Sequence, residues 1–239
     1  QSRLIKRLRA LKLDTFSDYH DYLLSHYDEE KINFINAITT NKTDFFRESD
    51  HFEYMKKVIL PGIDKKGLRE IRIWSAGCST GEEPYTIAMT VFDYYGRRQM
   101  PEILLLATDI DTQVLQKGIT GTYSAERLST VDEEFIKTYF DSDGGDPCNY
   151  TVKDFVKSKI YFRRLNLLLD EYPMKKQFDI IFCRNVIIYF DRETQARLFN
   201  NFHRYLKDDG YMLIGHSENI TSITDRFSLA GRTIYRKVV

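Results

Sequence analysis

The sequence predicts an α/β domain with a small antiparallel β insertion, preceded by a small all-α domain, and three observations carry that prediction. Ile71, Ile73 and Trp74 make a buried-strand pattern that runs into the small residues of 75–81 and then to Pro84, which suits a first helical turn. Further apolar runs at 103–107, 160–167, 178–183 and 211–215 read as strands, with helical patterns between several of them. Residues 1–60 show helical spacing instead. The expected division is a helical domain over 1–60, a linker over 61–70 and the α/β domain over 71–239, with the insertion at about 141–160.

In the first segment Leu4, Ile5, Leu8 and Leu11 recur at helical spacing, while Arg3, Lys6, Arg7, Arg9 and Lys12 cover the other faces. Such a basic face is either solvated or a docking surface for an acidic helix. Thr15 with Asp18 opens a second helix carrying Phe16, Tyr19, Tyr22, Leu23 and Tyr27. Asp28 and Glu29 open a third, with Ile32, Phe34, Ile35 and Ile38 as its core face. A fourth is expected from Ser49 or Asp50 through Phe52, Met55, Val58 and Ile59, stopped by Pro61 and Gly62. Residues 39–47 lie between the last two, and their aromatics and Arg47 follow no amphipathic period. A helix start capped at Thr43, with Phe45 and Phe46 packed inward, is compatible with a further role for this stretch. The chain enters its helical pattern at once from Gln1, without a methionine, and is expected to be truncated at its start.

Beyond the turn, 85–95 reads as a helix and 103–107 as a strand that ends in Thr108-Asp109-Ile110-Asp111. An acid at the end of a second parallel strand accepts from both ribose hydroxyls of a nucleoside; Asp109 is placed for that, or else for a simple helix cap. Asp111 is placed to cap a helix around 113–117. Residues 132–140 look helical, 141–149 break structure, and the alternation over 150–156 marks the antiparallel excursion. The strands at 160–167 and 178–183 end near Asn166 and at Arg184-Asn185, so their ends converge on one crevice. Asp191 caps a helix over 193–206, Asp208-Asp209-Gly210 turns into the strand at 211–215, and a hairpin at Ala230-Gly231 closes the sheet with 233–236.

Composition narrows the function. Lys and Arg total 35 against 35 Asp and Glu, so no global field recruits nucleic acid or a membrane surface. Cys78, Cys148 and Cys183 are odd in number, far apart and without a C-x-x-C, which argues against a disulfide framework or a zinc site and suits a reducing cytosol. No metal is expected. No apolar run has the length to span a bilayer, and no signal-peptide pattern is present.

Glycine in the 75–81 turn, Gly77 foremost, lets a ligand approach the backbone, and the helix start presents unpaired N–H groups to it. Gly77-x-x-x-Gly81 is not the dinucleotide fingerprint, however, and Glu82 and Glu83 would repel a pyrophosphate. Acids there suit a cationic ligand such as an amino acid's ammonium or a sulfonium; a glycine turn that binds nothing is the alternative. A phosphate-cradling P-loop is absent from the sequence.

Five stretches in order, Asn41-x-Thr43-x-Phe45-Phe46-Arg47, the run from Ser75 to Tyr85, Asp109-Ile110-Asp111, the run from Phe182 to Phe190, and Gly215-His216-Ser217-Glu218, together resemble the CheR-type chemotaxis receptor glutamate methyltransferases over nearly the whole chain. The resemblance implies a Rossmann-like S-adenosylmethionine-dependent methyltransferase domain behind an all-α N-terminal domain. Its cofactor would be S-adenosyl-L-methionine, its product S-adenosyl-L-homocysteine, and its substrate glutamate side chains on the cytoplasmic helices of methyl-accepting chemotaxis receptors, for chemotactic adaptation. A cytoplasmic location, at receptor arrays when bound to substrate, follows from the same resemblance. It further implies that Asn41, Thr43 and Arg47 close over the cofactor beside Gly77, that Glu83 meets its methionine portion, Asp109 the ribose, Asn166 and Leu167 the adenine, and Arg184 with Asn185 the floor. Arg47 and Tyr189 would stand nearest the transferring methyl, and Arg3, Arg7 and Arg9 would steer the acidic receptor helices.

One departure concerns the insertion. Family members that tether to a receptor's C-terminal peptide carry a glycine-spaced hairpin, G-x-G-x-x-x-G, whereas residues 142–149 here hold only Gly144-Gly145 among acids, so tethering is not expected. His216 is read as structural, because an ionised glutamate needs no general base. A monomer is expected. The main alternative is a non-catalytic nucleoside-ligand-binding signalling module on the same fold. A nucleic-acid methyltransferase would need a basic groove with stacking aromatics, and a nicotinamide dehydrogenase a different glycine spacing.

Overall fold

The computed structural model describes residues 2–238; Gln1, where truncation is expected, and Val239 lie outside the described residues. Three helices come first: α1 (Ser2–Leu11), α2 (Phe16–Ser25) and α3 (Tyr27–Ile38). Thr15 and Asp18 form the expected capping box at the start of α2, with side-chain to N–H distances of 3.1 and 3.0 Å. Glu30, buried on α3, ties the group together: Arg7 of α1 grips it at 2.6 and 2.5 Å, and the Tyr19 hydroxyl donates to it at 2.8 Å. The Arg7 hydrogen bonds hold Glu30 below the usual carboxylate range despite burial. Arg3 donates to the carbonyls of Ile38 and Thr39 at 2.9 and 2.7 Å, satisfying acceptors that the end of α3 leaves open. Two of the three candidate docking arginines are thus internal ties, and Arg9 is exposed.

The fourth helix differs from expectation. α4 (Asp50–Tyr54) continues through a π-helical turn, Met55–Ile59, into α5 (Leu60–Lys66), so Pro61 does not stop it and the expected linker is largely helical. Leu60 N–H bonds the carbonyl of Met55, five residues back, which resets the helix just before Pro61 and puts that residue in a first turn where its missing N–H costs nothing. Gly67, at φ +62°, ends it. Phe52, Met55, Ile59, Leu60 and Ile63 pack into one core with Ile71, Ile73, Phe182 and Leu213, so this helix covers the sheet. Residues 45–49 form turns, not a helix capped at Thr43, but Phe45 does pack inward, edge-on to Tyr123 and Phe140.

The α/β part runs β1 (Glu70–Ala76), α6 (Glu82–Tyr95), β2 (Glu102–Asp109), α7 (Thr112–Thr120), β3 (Thr122–Ser124), α8 (Glu133–Tyr139), β4 (Phe140–Ser142), β5 (Asn149–Val152), α9 (Asp154–Lys157), β6 (Ile160–Arg164), β7 (Phe178–Cys183), α10 (Arg192–Tyr205), β8 (Leu206–Ile214), β9 (Phe227–Gly231) and β10 (Ile234–Lys237). Its sheet has the order β6-β2-β1-β7-β8-β10-β9, parallel as far as β8 and antiparallel at β10 and β9. The strand order reverses between β1 and β7, the place where such sheets open a crevice at their carboxyl ends. On the face away from α4 and α5, Trp74 packs on Phe178 and Phe202, its indole N–H donating to Thr108 at 2.9 Å.

The small antiparallel sheet exists, in the order β3-β5-β4, but it recruits β3 from well before the expected start of the insertion, because a three-residue strand shows no periodicity. The strand expected over 150–156 stops at Val152, where Asp154–Lys157 turns helical. The turn expected at 208–210 lies inside β8, whose ladder with β7 slips between Phe178 and Ile180 and so absorbs it as an irregularity. Among the described residues no helix is long and apolar enough to cross a membrane.

Candidate active site

The carboxyl ends of β1, β2, β6 and β7 and the segment 38–47 enclose a cleft of about 410 Å³. Asn41, Thr43, Arg47, Gly77, Glu83, Asp109, Asn166, Leu167, Arg184, Asn185 and Tyr189 all line it, so every predicted cofactor and catalytic position converges there. Arg3, Arg7 and Arg9 lie on α1, outside that lining.

Gly77 sits at φ +87°, and a Cβ there would run into the side chain of Val186. Its N–H and that of Cys78 both donate to the Thr108 carbonyl, at 2.8 and 2.9 Å, so the turn folds back on the end of β2. There Asp109 accepts one backbone N–H on each oxygen, from Ser79 at 2.9 Å and from Asp111 at 3.0 Å. Each oxygen keeps a lone pair for another donor. Burial pushes Asp109 upward, and the amides only partly offset it. Asp111 caps α7 through Gln113 N–H at 2.8 Å, as expected, and its second oxygen takes the Thr39 hydroxyl at 2.7 Å and the Asn41 amide at 2.8 Å. Asn41 therefore fastens the N-terminal segment to the sheet at the edge of the cleft.

Arg184 is the buried cation of the floor. It pairs with Glu48 at 3.0 Å and Glu83 at 3.4 Å and donates to the carbonyl of Arg47. Burial pushes Glu83 up against the pull of Arg184, and the Ser75 hydroxyl donates to it at 2.6 Å. Burial acts on Glu48 in the same sense, but there the charge of Arg184 and the His216 N–H prevail and hold it below its ordinary range. Asn185 adopts φ +58°, and its N–H donates to Glu218 at 3.0 Å. Glu218 also gathers the amides of Gly215, Ile187 and Ile188 at 2.6, 2.8 and 3.3 Å. That carboxylate fixes the backbone leading into Tyr189, whose side chain stands exposed at the cleft on a 3₁₀ turn. In the same lining, Asn166 accepts the Leu168 N–H at 3.0 Å, and Ile110 and Leu165 add apolar surface.

Sequence reasoning missed three residues that hold the cleft lining in place. Glu48 and Glu218 lay within or beside the quoted stretches but had no role. Arg127 carried no local signal at all; it donates to the Thr43 carbonyl at 2.5 Å, pairs with Asp44 at 3.1 Å and grips the buried carboxylate of Glu82. The result is a cleft lined by two acids, Asp109 and Glu83, by apolar Ile110 and Leu165, and by an arginine and a phenol. It suits a nucleoside bearing a cationic tail.

Residues 41–236 match the family described as CheR methyltransferase, SAM binding domain, and residues 1–39 that described as CheR methyltransferase, all-alpha domain. The chain is 42% identical over 226 residues to the chemotaxis protein methyltransferase of Borreliella burgdorferi, covering 92% of this chain and 79% of that protein. It is 41% identical over 236 residues to the chemotaxis protein methyltransferase of Salmonella typhimurium, with 98% and 80% covered. Similarity to chemotaxis protein methyltransferase 2 of Pseudomonas aeruginosa is 38% over 235 residues, with 98% and 82% covered.

Proposed function

The chain belongs to the CheR methyltransferase family, and from that premise we propose that it transfers the methyl group of S-adenosylmethionine to glutamate side chains on the cytoplasmic helices of chemoreceptors, giving methyl esters and S-adenosylhomocysteine. S-adenosylmethionine is its cofactor, and the residues present fit it. Asp109 has a lone pair on each oxygen for ribose hydroxyls, Glu83 offers a carboxylate to a cationic amino-acid end, and Ile110, Leu165 and Leu167 offer an apolar wall to a base. When bound, the cofactor supplies a sulfonium methyl, whose transfer forms a carbon–oxygen bond as the carbon–sulfur bond breaks and its electron pair stays on sulfur.

The observation that carries the proposal is that Arg47 and Tyr189 share one cleft with Asp109 and Glu83. A glutamate, with a pKa of about 4.3, is ionised at neutral pH and attacks without a general base, so what remains for the protein is alignment. Arg47 orients the incoming carboxylate and the Tyr189 hydroxyl holds it in line. Arg184 and Asn185 keep the floor fixed beneath them. Because opposite charges neutralise each other as the bond forms, the site must not hold the separated charges too tightly. An arginine and a phenol at the edge of the cleft meet that need better than a buried ion pair.

The test is transfer of labelled methyl from S-adenosylmethionine to purified chemoreceptor cytoplasmic fragments. Base-labile label on glutamate is the expected result. Cofactor binding without label on any of several receptors would instead favour a non-catalytic signalling module.

A further inference from the structure

Beside the floor of the cleft, Glu48, His51 and His216 meet from the turn after Arg47, the first turn of α4 and the loop after β8. One ligand atom from each lies within 4.8 Å of the others. His51 is fully buried; its Nε2 bonds the Thr233 hydroxyl at 2.9 Å and the Arg232 carbonyl at 3.2 Å. Its Nδ1 has no hydrogen-bond partner among the described residues and stands 3.8 Å from the Glu48 carboxylate. The Arg232 carbonyl can only accept, so the ring nitrogen that faces it, Nε2, carries the proton and Nδ1 keeps the lone pair that a metal takes. Asp50 holds His216 Nε2 at 3.0 Å, the carboxylate–imidazole contact that orients ligating histidines. His216 and Asp50 are partly open to solvent, so an ion has a way in. Glu48 and Asp50 outnumber Arg184 in charge, and a dication is tolerated.

We propose that Glu48, His51 and His216 form a binding site for a divalent transition-metal ion of the zinc class, and that its occupation competes with the Arg184–Glu48 pair. Two imidazoles and one carboxylate select Zn²⁺, Co²⁺ or Ni²⁺ over Mg²⁺ and Ca²⁺. The Glu48 oxygen nearest His51 is the one that Arg184 grips at 3.0 Å, so a bound ion draws Glu48 away from Arg184, which lines the cleft. The absence of a metal motif in the cysteine spacing is no obstacle, because these ligands come from segments far apart in the chain.

The experiment is calorimetric titration of Zn²⁺ into the full chain, with Co²⁺ absorption as a second readout. Expected are one equivalent bound and a loss of affinity of roughly tenfold or more in His216→Ala and in Asp50→Ala. The pair His20→Ala with His26→Ala, on the surface of the helical domain, should bind as the parent does. Equal Zn²⁺ affinity in parent and both site variants, or no binding at a hundredfold excess of metal, overturns the site. S-adenosylhomocysteine affinity is then measured with and without Zn²⁺. A fall in the parent that disappears in His216→Ala supports the competition; an unchanged affinity in zinc-loaded protein overturns it.

Discussion

The guanidinium of Arg127 donates to the backbone carbonyl of Thr43 at 2.5 Å, joining the turn after β3 to the segment that lines the cleft, 84 residues away. The same side chain grips Glu82, which is only 1% exposed and is otherwise reached by the Thr80 hydroxyl at 2.6 Å. Removing it in Arg127→Ala strands a buried carboxylate, at a cost of about 2 kcal/mol. That lowers the melting temperature by roughly 5 °C in a chain of this size. The released 41–47 segment should also weaken S-adenosylhomocysteine binding by about tenfold, or ~1.4 kcal/mol. Thermal denaturation and calorimetry read the two effects separately. Unchanged cofactor affinity in a destabilised variant would reduce Arg127 to a stability role.

Asp109 gives a pH dependence of binding. Its pKa is raised by burial, so its contribution to folding stability is present below the unfolded pKa and is lost as pH rises through the folded one. Mild acid therefore does not unfold the chain through this residue. Protonation does remove an acceptor from the proposed ribose site, and cofactor affinity should weaken as pH falls through the raised pKa. Asp109→Ala should weaken binding by about 2 kcal/mol, some thirtyfold, with turnover at saturating cofactor little changed. Calorimetry at neutral and mildly acidic pH checks both statements, and full affinity in Asp109→Ala would remove the assignment.

Much of the fold and the cleft was legible because the signals are local. The strand, turn and helix start of 71–85, the caps at Thr15 and Asp111, and the polar ends of β2 and β7 each show within a few residues. What escaped depends on distant partners. Glu48 takes its place from Arg184, 136 residues on, and the π turn before Pro61 is set by how 52–63 packs on the sheet. Arg3 and Arg7 show the same limit from the other side: helical spacing marks a basic face but not the internal acid and carbonyls that two of its arginines hold.

Glu218 is expected to act on turnover through position alone. It gathers four backbone amides, three of them from Asn185, Ile187 and Ile188, just ahead of Tyr189. A glutamine offers one carbonyl oxygen where the carboxylate offers two. In Glu218→Gln the turn should slacken and Tyr189 shift, lowering kcat by roughly tenfold to a hundredfold, since misplacement by an ångström costs on that scale. Cofactor affinity should hold within about threefold, because Asp109 and Glu83 stand on other elements. Tyr189→Phe should show the same split between kcat and cofactor affinity. A loss confined to cofactor binding in both variants would contradict a role for Tyr189 at the reacting centre.

Arg7 and Arg9 lie two residues apart on α1 but should respond to charge reversal in opposite ways. Arg7 donates from two of its three nitrogens to Glu30, which is 2% exposed, so Arg7→Glu places two carboxylates together with nothing to replace the pair. That should cost about 3 kcal/mol or more and show as a lowered melting temperature. Arg9 is exposed, so Arg9→Glu should change stability by no more than about 0.5 kcal/mol. Its expected effect is on the proposed encounter with an acidic receptor helix, where a charge at the rim changes the association rate. Methylation of receptor fragments by Arg9→Glu, combined with reversal of exposed Lys6, should slow at low ionic strength and recover its ratio to the parent as salt shortens the Debye length to about 3 Å at molar concentration. An unchanged rate at low salt, in protein that melts as the parent does, would leave this face as a solvated surface and shift the search for the receptor contact to the edge of the cleft.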